Sequence, residues 1–182
     1  IYEAVAQTSE ELMEKYFAGE TFELREIIPA IHQGILQRDI FPVLCGAAVV
    51  PGDTLFLLDV LSEYLPSAAD RGAWETQSGE KIKVEENAPV SLFVFKTVAD
   101  PFVGKMSYFK MISGVLKPDT MLYNSTTGEM EKIAHIYIPK GKKQIEVDEL
   151  GAGDIGIVTK LLHTNTNDTL CDPARKVSFK PI

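Results

Sequence analysis

Two stretches in the middle of the chain decide its fold: Ser91-Leu-Phe-Val-Phe-Lys-Thr-Val98 and Met106-Ser-Tyr-Phe-Lys-Met-Ile112. The first is rich in apolar and aromatic residues, and the second alternates apolar and polar residues with a period of two. Both patterns are typical of β-strands. The middle of the chain is therefore predicted to be a β-structure.

Further short strands follow these two and are separated by turn residues. The sequence predicts strands at 121–124, 131–138, 155–160 and 176–180. Between them stand turn signals at Ser113-Gly114, Lys117-Pro118-Asp119, Thr127-Gly128, Pro139-Lys140-Gly141 and Gly151-Ala-Gly-Asp154. Because no helical stretch interrupts them, six or more strands at this spacing predict a closed antiparallel β-barrel over residues 88–182.

Residues 67–87, before the barrel, are polar and rich in Ser, Ala, Gly and Glu. We interpret them as a linker with one strand near 81–84. Trp74 is the only large apolar residue outside that strand, so we expect it to pack against a neighbouring unit.

The first third of the chain has helical periodicity instead. A helix over 8–18 is capped by Thr8 or Ser9, and a second helix over 21–34 is expected to kink or break at Pro29. Residues 41–48, Phe-Pro-Val-Leu-Cys-Gly-Ala-Ala, predict a buried strand that ends in a small-residue loop.

A turn at 51–53 and a helix to Leu65 follow that loop, with Asp53 or Thr54 as the cap. Its leucines are expected to face inward: Leu55, Leu58, Leu61 and Leu65. A strand, a loop and a helix make the last unit of an α/β sheet, and a parallel strand needs neighbours. Residues 1–66 are therefore interpreted as part of a larger domain, and the chain as a piece of a longer protein.

Charge is distributed unevenly over the 182 residues, whose formal net charge is −8. Residues 1–70 carry a net −9 and residues 71–182 a net +1. The 45% hydrophobic content excludes a disordered chain, and no apolar run is long enough for a membrane span. At +1, the barrel cannot bind nucleic acid by charge alone.

Catalytic and metal motifs do not stand out. His32, His135 and His163 lack partners at ligand spacing, and Cys45 and Cys171 are interpreted as two buried thiols. We therefore expect no metal site and no catalytic residue in this chain.

Lysines of the barrel are the candidate nucleic-acid contacts. Lys140, Lys142 and Lys143 crowd one turn, whereas Lys105 and Lys110 flank an aromatic pair. One interpretation is a solvated surface whose edge lysines block aggregation. The other is contact with phosphate groups of RNA, as one contact among several.

Three ordered motifs resemble the ribosomal translational GTPases of the elongation factor G type. The first is 41–48 followed by Leu58-Asp-Val-Leu-Ser-Glu-Tyr-Leu-Pro-Ser67. The second is Phe95-Lys-Thr-Val-Ala-Asp-Pro-Phe-Val-Gly-Lys105, which runs into 108–110 and 113–117. The third is Gly151-Ala-Gly-Asp-Ile155 with Asp168-Thr-Leu-Cys-Asp172. Residues 8–40 are similar to the end of the helical G′ insert of that family.

The resemblance implies a mixed fold, an α-helical and α/β remnant of a P-loop GTPase domain followed by a β-barrel of the domain II type. Residues 1–66 would be the end of G′ and of the GTPase domain, 67–87 the linker and 88–182 domain II. It implies that the intact protein hydrolyses GTP during ribosomal translocation, and that Cys45, Gly46, Ala47 and Ala48 contact guanine there.

The resemblance also implies the partners. The intact cytoplasmic protein would bind GTP or GDP with magnesium and meet small-subunit ribosomal RNA, with no DNA or membrane partner. Because this chain lacks a phosphate-binding loop, switch segments and an Asn-Lys-x-Asp motif, we expect it to bind no cofactor and to be inactive alone.

Four positions depart from the family pattern. Ala47-Ala48 replaces Ser-Ala, Pro118-Asp119 replaces Gly-Asp, Asn167 replaces Gly and Lys110 replaces Arg. Two relatives built on the same units stay open as alternatives, a ribosomal-protection protein of the tetracycline-resistance type and a release-factor GTPase. A free-standing barrel that binds a protein or a small ligand is the third.

Overall fold

The computed structural model describes residues 1–141 and 143–182. It divides into two compact units, Ile1–Arg71 and Gly72–Ile182. The division falls inside the segment 67–87, which the sequence predicts to be a linker.

The first unit is helical, and its small core lies among its first three helices. The helices are α1 (Tyr2–Ala6), α2 (Glu10–Phe17), α3 (Leu24–Gln37) and α4 (Pro51–Tyr64). Ser9 caps α2 by accepting a hydrogen bond from the Leu12 N–H at 3.3 Å. The expected break at Pro29 is wrong, because α3 continues through it. Buried apolar residues of the core are Val5, Ala6, Leu12, Phe22 and Ala30.

The segment before α4 differs from the prediction. Residues 41–48 form no strand, and Phe41 is 76% exposed. A parallel strand needs neighbours on its edges, and none of the described residues of the first unit forms one. Helix α4 starts at Pro51, a residue favoured at the first helical position, rather than after Asp53.

The prediction that the leucines of α4 face inward is also wrong. No residue of α4 is buried, and Leu55 is 62% exposed. Leu58 and Leu61 are exposed as well. The leucines of this helix are therefore largely exposed within the first unit.

Ten strands make up the described part of the second unit. A two-stranded sheet joins β1 (Ala73–Glu75) and β2 (Lys81–Lys83). The other strands are β3 (Ser91–Asp100), β4 (Gly104–Ser113), β5 (Thr120–Asn124), β6 (Met130–Ile133), β7 (Ile136–Lys140), β8 (Lys143–Val147), β9 (Ile155–Thr159) and β10 (Thr169–Cys171). They form one antiparallel sheet in the order β6-β5-β10-β3-β4-β9-β7-β8.

This sheet curls into a barrel, as predicted. Strands β6 and β7 stand first and seventh in the order but are joined by only two residues, Ala134 and His135. The sheet must therefore bend round so that β6 and β7 come close, but no ladder among the described residues joins its edge strands β6 and β8, so the predicted closure is not seen. The barrel encloses one core, which includes Leu92, Val94, Phe109, Met111, Leu122, Ile133, Ile136, Leu150, Val158 and Leu170.

Three details of the strands differ from the prediction. The stretch 131–138 forms two strands, because the chain turns at 134–135 to reach the other side of the barrel. Residues 176–180 form no strand, and only Phe179 makes a single bridge to Thr76. Strands β1, β8 and β10 are additional, because none of them lies in a predicted stretch.

Trp74 packs on the outside of the second unit. It belongs to a second apolar cluster with Ile82, Phe93 and Phe179, and its ring lies 6.3 Å from that of Phe179 at 74°. This edge-to-face geometry is favourable for aromatic rings. The two-stranded sheet is therefore held on the barrel by apolar contacts.

We expect Phe109→Ala to destabilise the second unit by about 3–5 kcal/mol, because Phe109 is 1% exposed and its removal leaves a cavity in the core. The matched control is Phe102→Ala, since Phe102 is 96% exposed and its loss should cost less than about 0.5 kcal/mol. Urea unfolding of both variants checks this. Equal losses would contradict the core assignment.

Candidate functional site

The small-residue loop and the start of α4 surround a pocket of about 380 Å³. The Ala47 N–H donates a hydrogen bond to Asp53 Oδ2 at 2.8 Å. Cys45 is exposed, so the prediction of a buried thiol is wrong there. The cause is the absent strand, which leaves the residues before the loop uncovered. The pocket is lined by Leu44, Cys45, Gly46, Ala47, Ala48, Asp53, Thr54, Phe56 and Leu57.

The chemistry of this pocket suits a flat ring that accepts hydrogen bonds. Gly46, Ala47 and Ala48 keep side-chain bulk away from the loop, so its backbone N–H groups can be approached. Phe56 and Leu57 supply an apolar wall. A planar base such as guanine fits that combination, and the pocket has the size of ordinary ligand sites.

Lys105 is fixed by a neighbouring loop. Its ammonium donates a hydrogen bond to Asn165 Oδ1 at 3.0 Å. The preceding hairpin tip carries Phe102, whose side chain is 96% exposed. Exposed aromatic rings and cations are groups that RNA-binding surfaces use.

Lys143 and Lys105 lie on two strands that a side-chain contact links. Gln144 Nε2 contacts Met106 Sδ at 2.8 Å, which brings strand β8 to the start of β4. Lys143 and Lys105 precede these two residues in the sequence, so their side chains point to the opposite face of each strand. Lys140 pairs with Lys143 across the end of the β7–β8 hairpin. Lys142 lies outside the described residues.

Lys110 is placed differently from the other candidate lysines. Its ammonium lies 5.7 Å from the centroid of the Trp74 ring, a cation–π contact. It therefore contacts the two-stranded sheet, and the structure does not bring it together with Lys105. This contact links Lys110 to packing of the segment before the barrel.

The loop that holds Lys105 depends on two buried carboxylates that sequence reasoning missed. Glu131 accepts hydrogen bonds from the His163 N–H at 2.7 Å and from Thr164 Oγ1 at 2.9 Å. Asp168 accepts the Asn165 N–H at 2.7 Å. The available signal was Glu131 itself, an acidic residue two positions before buried Ile133 and so on the same face of β6.

Metal coordination has no support among the described residues. No group of three or more His, Cys, Asp or Glu side chains in 1–141 and 143–182 lies close enough together to hold an ion. In the same ranges, no helix has the length and apolar character needed to cross a bilayer.

Comparison with known proteins identifies the second unit. A family model described as elongation factor G domain 2 matches residues 89–173. These residues belong to the elongation factor G domain 2 family. The curled barrel is thus the predicted domain II fold, and the resemblance seen in the sequence is confirmed.

The similarity to elongation factor G extends beyond that domain. Elongation factor G of Thermotoga maritima is 37% identical over 99% of this chain and 27% of its own length. A crystal structure from Thermus thermophilus matches with a TM-score of 0.72 and 29% identity, over 96% of this chain and 24% of that one. The chain is thus homologous to a segment of elongation factor G and spans about a quarter of the length of these relatives.

The Asp100 carboxyl group, at the hairpin tip that precedes Lys105, should titrate at a lower pH than an ordinary aspartate. The N–H groups of Val103 and Phe102 donate to the Asp100 carboxylate, which holds the pKa of Asp100 below its ordinary value of 3.8. The ionised Asp100 carboxylate therefore stabilises the folded tip fully above its ordinary pKa. This stabilisation is lost as the pH falls through the lower pKa of the folded state.

Amide chemical shifts of Val103 and Phe102, followed by NMR from pH 6 to pH 2, check this prediction. Their common midpoint should lie below 3.8, and the transition should disappear in Asp100→Asn. A midpoint at or above 3.8 would show that the carboxylate does not hold the tip.

Proposed function

We propose that the intact protein is an elongation factor G-like translational GTPase that acts in ribosomal translocation. The observation that carries this proposal is the 37% identity to elongation factor G of Thermotoga maritima along 99% of the chain. The intact protein would work in the cytoplasm, with the ribosome as its partner and without a DNA or membrane partner.

Within that protein, residues 1–66 would form the end of G′ and of the GTPase domain, 67–87 a linker and 88–182 domain II. GTP or GDP with magnesium would bind the intact protein, and the loop Cys45, Gly46, Ala47 and Ala48 would contact guanine. Small side chains and the pocket beside α4 support that role. The loop supplies backbone donors for the base, whereas phosphate chemistry needs motifs that this chain does not contain.

The barrel would contact the GTPase domain and small-subunit ribosomal RNA. Lys105 and Lys143 support an RNA contact because both carry a positive charge on strands of the barrel, and β8 contacts the start of β4. Lys140, which pairs with Lys143 across the hairpin end, is a further candidate, and Lys142 stays a candidate from the sequence. Lys110 is the weakest of the five candidates, since its ammonium contacts Trp74.

Sedimentation with 70S ribosomes tests this function. We expect the intact protein to pellet with ribosomes in the presence of a non-hydrolysable GTP analogue and to pellet less with GDP. This follows because the γ-phosphate is the group that switches such proteins between states. Failure to pellet with either nucleotide would contradict the proposal and favour a free-standing binding module.

The RNA contact makes a separate prediction for the intact protein. Lys105→Gln with Lys143→Gln should weaken ribosome binding and lower the slope of log affinity against log salt by about 2, one for each phosphate contact. The control is Lys81→Gln with Lys83→Gln, which removes the same charge from exposed positions of β2. Equal slopes in the two double variants would place the contact elsewhere.

A further inference from the structure

The Asp53 carboxylate is directed at the loop rather than at its own helix. It stands in the first turn of α4, yet its Oδ2 accepts the N–H of Ala47, six residues earlier, at 2.8 Å. The N-cap of α4 is Val50, and α4 has no side-chain cap. The Asp53 side chain therefore reaches back over the loop.

Close packing shows that this side chain lies directly on the loop. A Cβ atom built on Gly46 would lie 3.3 Å from Asp53 Cβ and 3.5 Å from its Oδ2. Asp53 and Ala47 line the same pocket. A base that entered the pocket would thus meet the carboxylate and the Ala47 N–H together.

The bond uses a donor that the base would need. A backbone N–H is a single donor, and an ionised carboxylate is a stronger acceptor than the neutral carbonyl of guanine. If the carbonyl oxygen of guanine binds the Ala47 N–H, it must displace Asp53 Oδ2, because one proton cannot serve two acceptors at full strength. Asp53 and the base therefore compete.

We propose that Asp53 is a positioning residue that holds the guanine loop in a self-bonded state and thereby lowers nucleotide affinity. This inference rests on the proposed nucleotide function of the intact protein. The opposite possibility is that Asp53 shapes the loop for binding. The two differ in sign, because removal of Asp53 would tighten binding in the first case and weaken it in the second.

The loop bond is tested first in the 182-residue chain, without nucleotide. Amide hydrogen exchange of Ala47 should become several-fold faster in Asp53→Ala. Asp59→Ala is the matched control, since it removes the same charge from an exposed position of the same helix. Unchanged exchange of Ala47 in Asp53→Ala would overturn the inference.

Nucleotide affinity is then measured in the intact protein by titration of a fluorescent GDP. We expect Asp53→Ala to bind about three- to tenfold tighter, a modest gain because the bond is exposed to solvent. The GDP affinity of Asp53→Asn should lie between those of the unaltered protein and Asp53→Ala, since a neutral amide oxygen accepts a hydrogen bond more weakly. Asp59→Ala should bind GDP as the unaltered protein does.

The outcomes separate the inference from the function beneath it. If the unaltered protein binds GDP and Asp53→Ala binds it equally well or more weakly, the role of Asp53 is overturned and the function stands. Absence of GDP binding in every variant would overturn both. Binding by Asp53→Ala alone would support the competition in its strongest form.

Discussion

The pairing of β3 with β4 is the constraint on which the rest of the barrel depends. These two ten-residue strands lie at the centre of the sheet, with β10 on the free edge of β3 and β9 on that of β4. Their register shifts between Ser91 and Leu92 and again between Val94 and Lys96. Such irregularities increase the local twist of a sheet, and a strongly twisted sheet of eight strands can close on a core.

The same ladder also sets where the candidate RNA-contacting groups lie. It ends in the tip whose backbone N–H groups donate to Asp100, and this tip carries Phe102 and leads into Lys105. Beneath the facing loop, Glu131 of β6 accepts the His163 N–H and Asp168 accepts the Asn165 N–H, and Asn165 in turn accepts from Lys105. Burial of a carboxylate is costly unless its oxygens are hydrogen-bonded. The loop is therefore shaped by interactions inside the barrel rather than by its own exposed residues.

Sequence patterns predict the barrel better than the first unit, for a physical reason. Antiparallel strands carry their signal locally, as in 106–112, where each second residue faces the core. The stretch 41–48 reads as a buried strand because its residues are apolar, yet a parallel strand exists only beside partners. The contacts within the candidate site depend even less on the local sequence pattern. The bond from Ala47 to Asp53 and the contact of Lys110 with Trp74 depend on side-chain directions that periodicity does not encode.

The position of β10 has a consequence for synthesis of this protein. Thr169–Cys171 lies between β5 and β3 and joins the two halves of the sheet. Until these residues leave the exit tunnel of a translating ribosome, β3 and β5 have open edges on the nascent chain, where unpaired backbone groups invite wrong pairings. The barrel can thus be completed only after residue 171 has emerged, and β3 and β5 stay open to wrong pairings until then.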